Sequence, residues 1–287
     1  MKTYLRTLPL LLAGLFACAG SQAAPLGAGN VSIEAVKGTD DVKIHAWETE
    51  DPMRSAVIAI EGQNAILAIE SPAFRDDFPL WRDYLTKTGK PVEALLLSSH
   101  PGDGSGWYGK AKPMATAAAE KSIQSGPVAA MVKSLRQGFG ETFDDVAVEN
   151  IETLEKDVPQ EVAGFTVIAH DASDGTLFVF PKLKVAYIHM LSADYHSILP
   201  GKAAAQGYIA DLEYLKKSGV ERIYTSHHEP ESADAIDTKL AYVRFVIQAA
   251  EKAQTADEFK AAVKAEYPSY KRDQYLDMTA AGFFPAK

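Results

Sequence analysis

The stretch Lys90-Pro91-Val92-Glu93-Ala94-Leu95-Leu96-Leu97-Ser98-Ser99 constrains the fold of this chain more than any other. Its centre, Ala94-Leu95-Leu96-Leu97, has no polar position. A strand with that pattern is covered on both faces, as in the interior of a layered α/β protein. It runs directly into a glycine-rich loop, His100-Pro101-Gly102-Asp103-Gly104-Ser105-Gly106. Loops at the ends of buried strands are where sites are built.

The flanking pattern supplies the layers. Short β-rich runs at 31–36, 42–47, 55–60 and 64–69 read as an antiparallel meander. Phe74, Phe78, Trp81 and Leu85 then fall at helical spacing and stop at Gly89. Beyond the glycine loop, 112–118 reads as a short strand and 126–143 as a helix with Val128, Met131, Val132 and Leu135 on one stripe. Strands follow at 146–151, 165–170, 176–180 and 185–189, the last two joined by a Pro181-Lys182 turn. A helix over 203–217, a strand over 222–225 and a helix over 237–253 come next, and Thr255-Ala256-Asp257-Glu258 forms a capping box for another helix.

The first 23 residues stand apart. Lys2 and Arg6 precede an apolar run from Leu8 to Ala19, and Ser21-Gln22-Ala23 offers small residues for processing, which is the pattern of an export signal. The mature chain is then expected in the periplasm or secreted, with anchoring through a lipidated Cys18 as the minor alternative. Cleavage removes Lys2 and Arg6 and shifts the net charge from −9 to −11. With no Lys/Arg cluster to offset it, that charge repels phosphate backbones and argues against a nucleic-acid partner. No later stretch approaches the roughly 20 apolar residues of a membrane-spanning helix. Cys18 is the single cysteine, so the mature chain has no disulfide, thiolate metal site or Cys nucleophile.

Five of the seven histidines lie at or beside strand ends: His100 after the strand ending near Ser98, His170, His189, and the pair His227-His228. Loops at one sheet edge converge, so these residues can share a pocket with Asp103. Imidazole and carboxylate are the ligands zinc takes where thiolate is absent, with three protein ligands and an open position in hydrolytic sites. A Ser98/Ser99-His100-Asp103 triad is disfavoured, because neighbours in sequence do not line up three side chains and no Gly-x-Ser-x-Gly elbow occurs. Trp107, Tyr108, Tyr195 and Tyr208 are candidates for the pocket mouth, and Phe283 and Phe284 for docking on the body of the protein or on a partner subunit.

Several segments together resemble the metallo-β-lactamase superfamily. Glu61-Gly62-Gln63-Asn64-Ala65-Ile66-Leu67-Ala68-Ile69-Glu70-Ser71-Pro72 is similar to its early hairpin and acidic strand end, and the 90–99 stretch to the strand entering its metal loop. His170 falls where the family has a histidine before a hairpin, and Tyr224-Thr225-Ser226-His227 resembles its closing strand and last ligand. The resemblance covers about 31–230. It implies a four-layer αββα sandwich with extra C-terminal helices: an export signal at 1–23, the sandwich at 24–232 and a helical extension at 233–287.

The site departs from the family's His-x-His-x-Asp-His loop. The register that keeps Asp103 puts Ser99, Pro101 and Gly104 at the three histidine positions, a shift of one residue brings His100 onto the first histidine but forfeits the aspartate match, and the later bridging aspartate falls on Met190 with His189 beside it. What the resemblance leaves is Asp103, His170 and His227, with His100, His189 and His228 as substitutes. Glu229 and Asp194 could orient a ligand through its second ring nitrogen. Two readings of function remain open. One is a hydrolase with a single zinc ion acting on a small-molecule ester, lactone, amide or phosphoester. The other is a metal-free member of the fold that binds a small molecule or a periplasmic protein. The gathering of histidines favours the first.

Overall fold

The computed structural model describes residues 22–39, 41–100, 106 and 108–285. Asp103, Trp107, Cys18 and the expected export signal up to residue 21 lie outside the described residues.

The meander begins one strand earlier than the hydrophobic pattern predicts. β1 (Gln22–Leu26), β2 (Gly29–Ala35), β3 (Lys43–Glu48), β4 (Ala56–Glu61) and β5 (Ile66–Ile69) each run antiparallel to the one before. β6 (Val92–Leu96), β7 (Lys112–Thr116) and β8 (Glu152–Leu154) extend the same sheet in parallel. Parallel neighbours require crossovers. α1 (Asp77–Thr86) supplies one between β5 and β6; α2 (Ala117–Ser125) and α3 (Pro127–Phe139) supply another between β7 and β8.

The second sheet holds β9 (Pro159–Val162), β10 (Phe165–Ala172), β11 (Gly175–Phe180) and β12 (Val185–Tyr187) in antiparallel order. α4 (Lys202–Ser218) crosses over to β13 (Arg222–Tyr224), which lies parallel to β12, and β14 (Glu231–Ser232) forms the edge. α5 (Asp234–Lys252), α6 (Ala256–Glu266) and α7 (Asp273–Phe283) complete the chain.

Strand alternation sorts the side chains into three cores. Ile58 and Ile60 of β4 meet Phe178 and Phe180 of β11 between the two sheets. Val57 and Ala59 face the other way, onto Trp81 and Leu85 of α1 and Ala119 and Ile123 of α2. Leu177 and Val179 face Leu212 and Leu215 of α4 and Val243 and Val246 of α5. The result is the expected αββα order. Trp81 is fully buried and stacks on Trp47 at 5.8 Å, burial worth about 2–3 kcal/mol for such a side chain. α5 packs in the same core as β11, and Phe283 and Phe284 dock on Phe259 of α6 at 5.8 and 5.7 Å.

Two elements differ from the pattern. The strand expected over 112–118 ends at Thr116, whose hydroxyl accepts the Ala119 N–H and caps α2. Residues 146–151 form no strand, and the pairing moves to 152–154. No helix among the described residues is long and apolar enough to cross a membrane.

Candidate metal centre

His100, His189 and His227 follow the C-terminal ends of β6, β12 and β13. Two backbone bonds lock the last two loops together, Ile188 N–H to Tyr224 C=O at 3.1 Å and Ser226 N–H to His189 C=O at 3.0 Å. The three imidazoles point at one another. Nε2 of His189 lies 3.3 Å from Nε2 of His100 and 3.2 Å from Nε2 of His227, and one ring nitrogen from each of the three falls within 4.8 Å of the others. Nε2 of His189 carries either one proton or one lone pair, so it can satisfy one of these neighbours and not both. A tetrahedral zinc binding imidazoles at about 2.0–2.1 Å sets the nitrogens about 3.3–3.4 Å apart. The observed spacing therefore fits a shared cation better than it fits a closed hydrogen-bond network.

The surroundings prepare these rings as ligands. His189 gives its Nδ1–H to Asp174 at 2.7 Å, which turns the Nε2 lone pair toward the other two rings. Burial pulls the His189 pKa down, but the charge and hydrogen bond of Asp174, with the charge of Glu70, outweigh it and raise the value above the ordinary range. Burial, reinforced by His189 and His227, holds His100 well below it, and burial takes His227 to about 3. His100 and His227 are thus neutral near pH 7, the form a metal accepts.

A completely buried carboxylate sets the first of these rings. Glu70 accepts N–H groups of Ser98 at 2.9 Å, Ser99 at 2.7 Å and His100 at 2.7 Å, and the Tyr187 hydroxyl at 3.2 Å. Burial pushes its pKa up to about 7 against the pull of these N–H groups. Tyr187 in turn bonds Ser226 Oγ at 2.6 Å, so one carboxylate ties the start of the glycine loop to the strand and loop that carry His189 and His227. Ser98 Oγ bonds Thr176 C=O at 2.8 Å and Ser99 Oγ bonds Asp174 C=O at 3.1 Å, which brings Asp174 to the site. Gly175 allows this approach: its φ is +93°, and a Cβ there would lie 2.1 Å from Ser99 Oγ.

His170 is not part of the cluster, a correction to its expected role beside His227. Phe165, Val167 and Ala169 of β10 face the inter-sheet core, so Ile168 and His170 face the helices. The His170 ring stacks on Tyr214 of α4 at 3.9 Å, with Nδ1 2.6 Å from Asp157. Asp194 pairs with Lys271 at 2.7 Å and Ser192 at 3.1 Å, and Glu229 is exposed; neither bonds an imidazole of the cluster among the described residues. His228 stands beside the cluster rather than in it, edge-on to Tyr195 at 4.7 Å. Burial, then the charges of Arg272 and Lys239, lower its pKa to about 3. The sequence reading missed Asp174, which the Ser173-Asp174-Gly175 hairpin turn places at a strand end like the histidines.

No family profile and no curated protein matches the sequence. Solved structures do match. A metallo-β-lactamase family protein from Thermus thermophilus superposes with a TM-score of 0.57 at 14% identity, covering 82% of this chain and 89% of that one. A metallo-β-lactamase from Erythrobacter litoralis gives 0.56 at 13% identity, over 78% of this chain and 100% of the other. This chain has the metallo-β-lactamase fold. The stereoselective inverting sec-alkylsulfatase Pisa1 from Pseudomonas sp. shares that fold at 0.57 and 18% identity over 88% of this chain, which spans about half the length of that enzyme, 49%.

Within the metallo-β-lactamase fold, Ser99 and Met190, where the sequence resemblance expects ligands, have other work. Ser99 spends its hydroxyl on the Asp174 carbonyl, and Met190 gives its carbonyl to the Tyr208 hydroxyl at 2.8 Å. A cavity of about 320 Å³ opens beside the imidazoles. Ile188, Met190, Leu191, Leu199, Pro200 and Met278 supply apolar surface, while Asp174, His189, Asp211, His228 and Lys239 are among the polar groups on its wall. Tyr195 and Tyr208 line it as expected, whereas Tyr108 packs against the helices of the first sheet.

Proposed function

We propose that the protein is an exported, metal-dependent hydrolase with one zinc ion held by His100, His189 and His227. The convergence of three ring nitrogens within 4.8 Å, with Nε2 of His189 at tetrahedral-edge spacing from the other two, carries this reading. A zinc ion held there supplies a Lewis acid and makes water acidic enough to lose a proton near neutral pH. The chain's own groups do the rest. Asp174 fixes the His189 tautomer, Glu70 holds the backbone leading into the glycine loop, and the apolar cavity positions an organic ester, lactone, amide or phosphoester and keeps bulk water away. Asp103, three residues beyond His100, is proposed to complete the site as a further ligand and catalytic carboxylate. Export rests on the signal pattern at 1–23, and the proposed division at 232/233 on the sequence resemblance.

Metal analysis of the purified protein tests the assignment. About one zinc per chain is expected, lost in His189→Ala and His227→Ala and kept in His170→Ala. Protein without stoichiometric metal, whose melting temperature ignores a chelator, would remove the hydrolase reading and leave a metal-free binding protein, because a bound ion stabilises the folded state.

A further inference from the structure

Lys239 occupies the apolar stripe of α5, between Ile236 and Leu240 with Val243 and Val246 beyond, and is 1% exposed. It lines the cavity that also contains His189 and His228. One of its N–H groups goes to the Tyr195 carbonyl at 2.6 Å, and Nζ lies 4.8 Å from the Tyr242 ring centroid and 5.4 Å from that of Tyr270. No carboxylate among the described residues pairs with it. The acids that act on it by charge are engaged elsewhere, Asp194 with Lys271 at 2.7 Å and Glu231 with the Ala193 N–H at 2.9 Å. A buried ammonium without a counter-ion opposes folding, and such groups concentrate at functional sites. Burial has already drawn its pKa down to about 7.

Two further observations point the same way. His228 Nδ1 is buried without a hydrogen-bond partner on the wall of the same cavity. The Arg272 guanidinium acts on His228 by charge and lies over the rings of Tyr195 and Tyr275 at 5.4 and 5.9 Å, with no carboxylate partner among the described residues. Of the carboxylates on the cavity wall, Asp174 is held by His189 at 2.7 Å and Asp211 by the Ser173 N–H at 2.9 Å, so Lys239 on that wall and Arg272 beside it remain as cationic groups without a carboxylate partner among the described residues in a chain of net charge −9.

We propose that this cavity binds an organic oxyanion, a carboxylate or sulfate on an apolar body, with Lys239 as its counter-ion and His228 Nδ1 as a hydrogen-bond partner. The apolar walls cover the body of the ligand and leave it against His189. That this anion is also the substrate rests on the hydrolase reading; its binding does not. A cavity of this size is within the range that holds small organic ligands.

The test is calorimetric titration of the full mature protein with octanoate, octyl sulfate and 1-octanol, with zinc measured in the same samples and the titrations repeated after chelation. Both anions, or one of them, should bind at least tenfold more tightly than the alcohol, and the tighter of the two identifies the headgroup. Lys239→Met should cost tenfold or more in anion affinity and leave the alcohol unchanged. Equal affinity for alcohol and anions in the unsubstituted protein overturns the proposal without need of a variant, and so does a folded Lys239→Met that keeps its anion affinity. Absence of zinc with anion selectivity intact would remove only the hydrolase reading; zinc present with selectivity lost would remove only this one.

Discussion

His45, on the outer side of the first sheet, is as deeply buried as the imidazoles of the candidate metal centre, at 3% exposure against 6% for His100 and 7% for His189. Its nitrogens are both used. Nδ1 meets the Tyr84 hydroxyl at 2.8 Å, Nε2 meets Glu61 at 2.9 Å, and Lys90 closes the network on Glu61 at 2.6 Å. At the candidate metal centre one imidazole is held by a carboxylate through Nδ1, and its Nε2 faces Nε2 of the other two. Burial alone therefore does not mark a functional histidine. What separates the two places is whether the chain itself satisfies the nitrogens, since a buried polar atom left unpaired lowers stability unless a ligand completes it.

The contrast can be broken most directly at His189. Its replacement by Ala should abolish stoichiometric metal and lower hydrolysis of an ester substrate more than about a hundredfold, beyond the 10–100-fold that an orienting partner is worth. Unchanged metal content and rate would put the two histidine sites in the same structural class. Gly175→Ala should lower stability by about 3 kcal/mol, because the Cβ collides with Ser98 and Ser99 and the φ of +93° is strained for alanine. Denaturant titration reads this directly, and metal affinity should fall with it because Asp174 is displaced.

A pH comparison sharpens the view of buried charge. The folded-state pKa of Lys239, about 7, lies below the unfolded value of 10.5, so between these values the unfolded chain binds the extra proton. The stability that wild-type protein lacks relative to Lys239→Met is therefore largest below pH 7 and shrinks as pH rises toward 10.5, by on the order of 2–3 kcal/mol between pH 7 and 9.5. Around the amine, Asp194 and Glu231 favour its charged form, burial holds His196 below its ordinary range, and burial pushes the hydroxyls of Tyr242 and Tyr270 up. A pH-independent difference between the two proteins would show that Lys239 does not titrate in this window.

Smaller effects are expected where the chain satisfies its own histidines. His45→Ala should cost about 2 kcal/mol and leave bound metal unchanged, because Glu61 keeps Lys90 as its partner. His170→Ala should cost less than about 1 kcal/mol, the loss of one stacked ring and one outward-facing hydrogen bond, with full metal content. Metal loss in either variant would put these histidines in the same class as His189.

Most of the layered fold was legible because burial on both faces leaves short continuous apolar runs in strands, as at 55–60 and 64–69, and imposes period 3.6 on helices, as at 203–217. The pattern weakened where capping and short pairing decide the structure. α2 starts from the Thr116 hydroxyl inside what reads as a strand, and β8 forms beyond the apolar run at 146–151. Lys239 left a signal of its own, a lysine at the buried spacing of Ile236, Leu240, Val243 and Val246. That spacing reads equally as a lysine whose stem covers the core while its amine reaches water.

The sequence by itself determined that histidines would stand at the ends of buried strands, beside a glycine-rich loop that has one histidine, His100. Only the tertiary structure decided that His100, His189 and His227 meet while His170 turns to α4. The physical reason is that a shift of one residue along a strand reverses the face a side chain takes, and the convergence of three loops depends on contacts distant in sequence, such as Glu70 with 98–100 and Ser99 with Asp174. Spacing along the chain contains the first kind of information and none of the second.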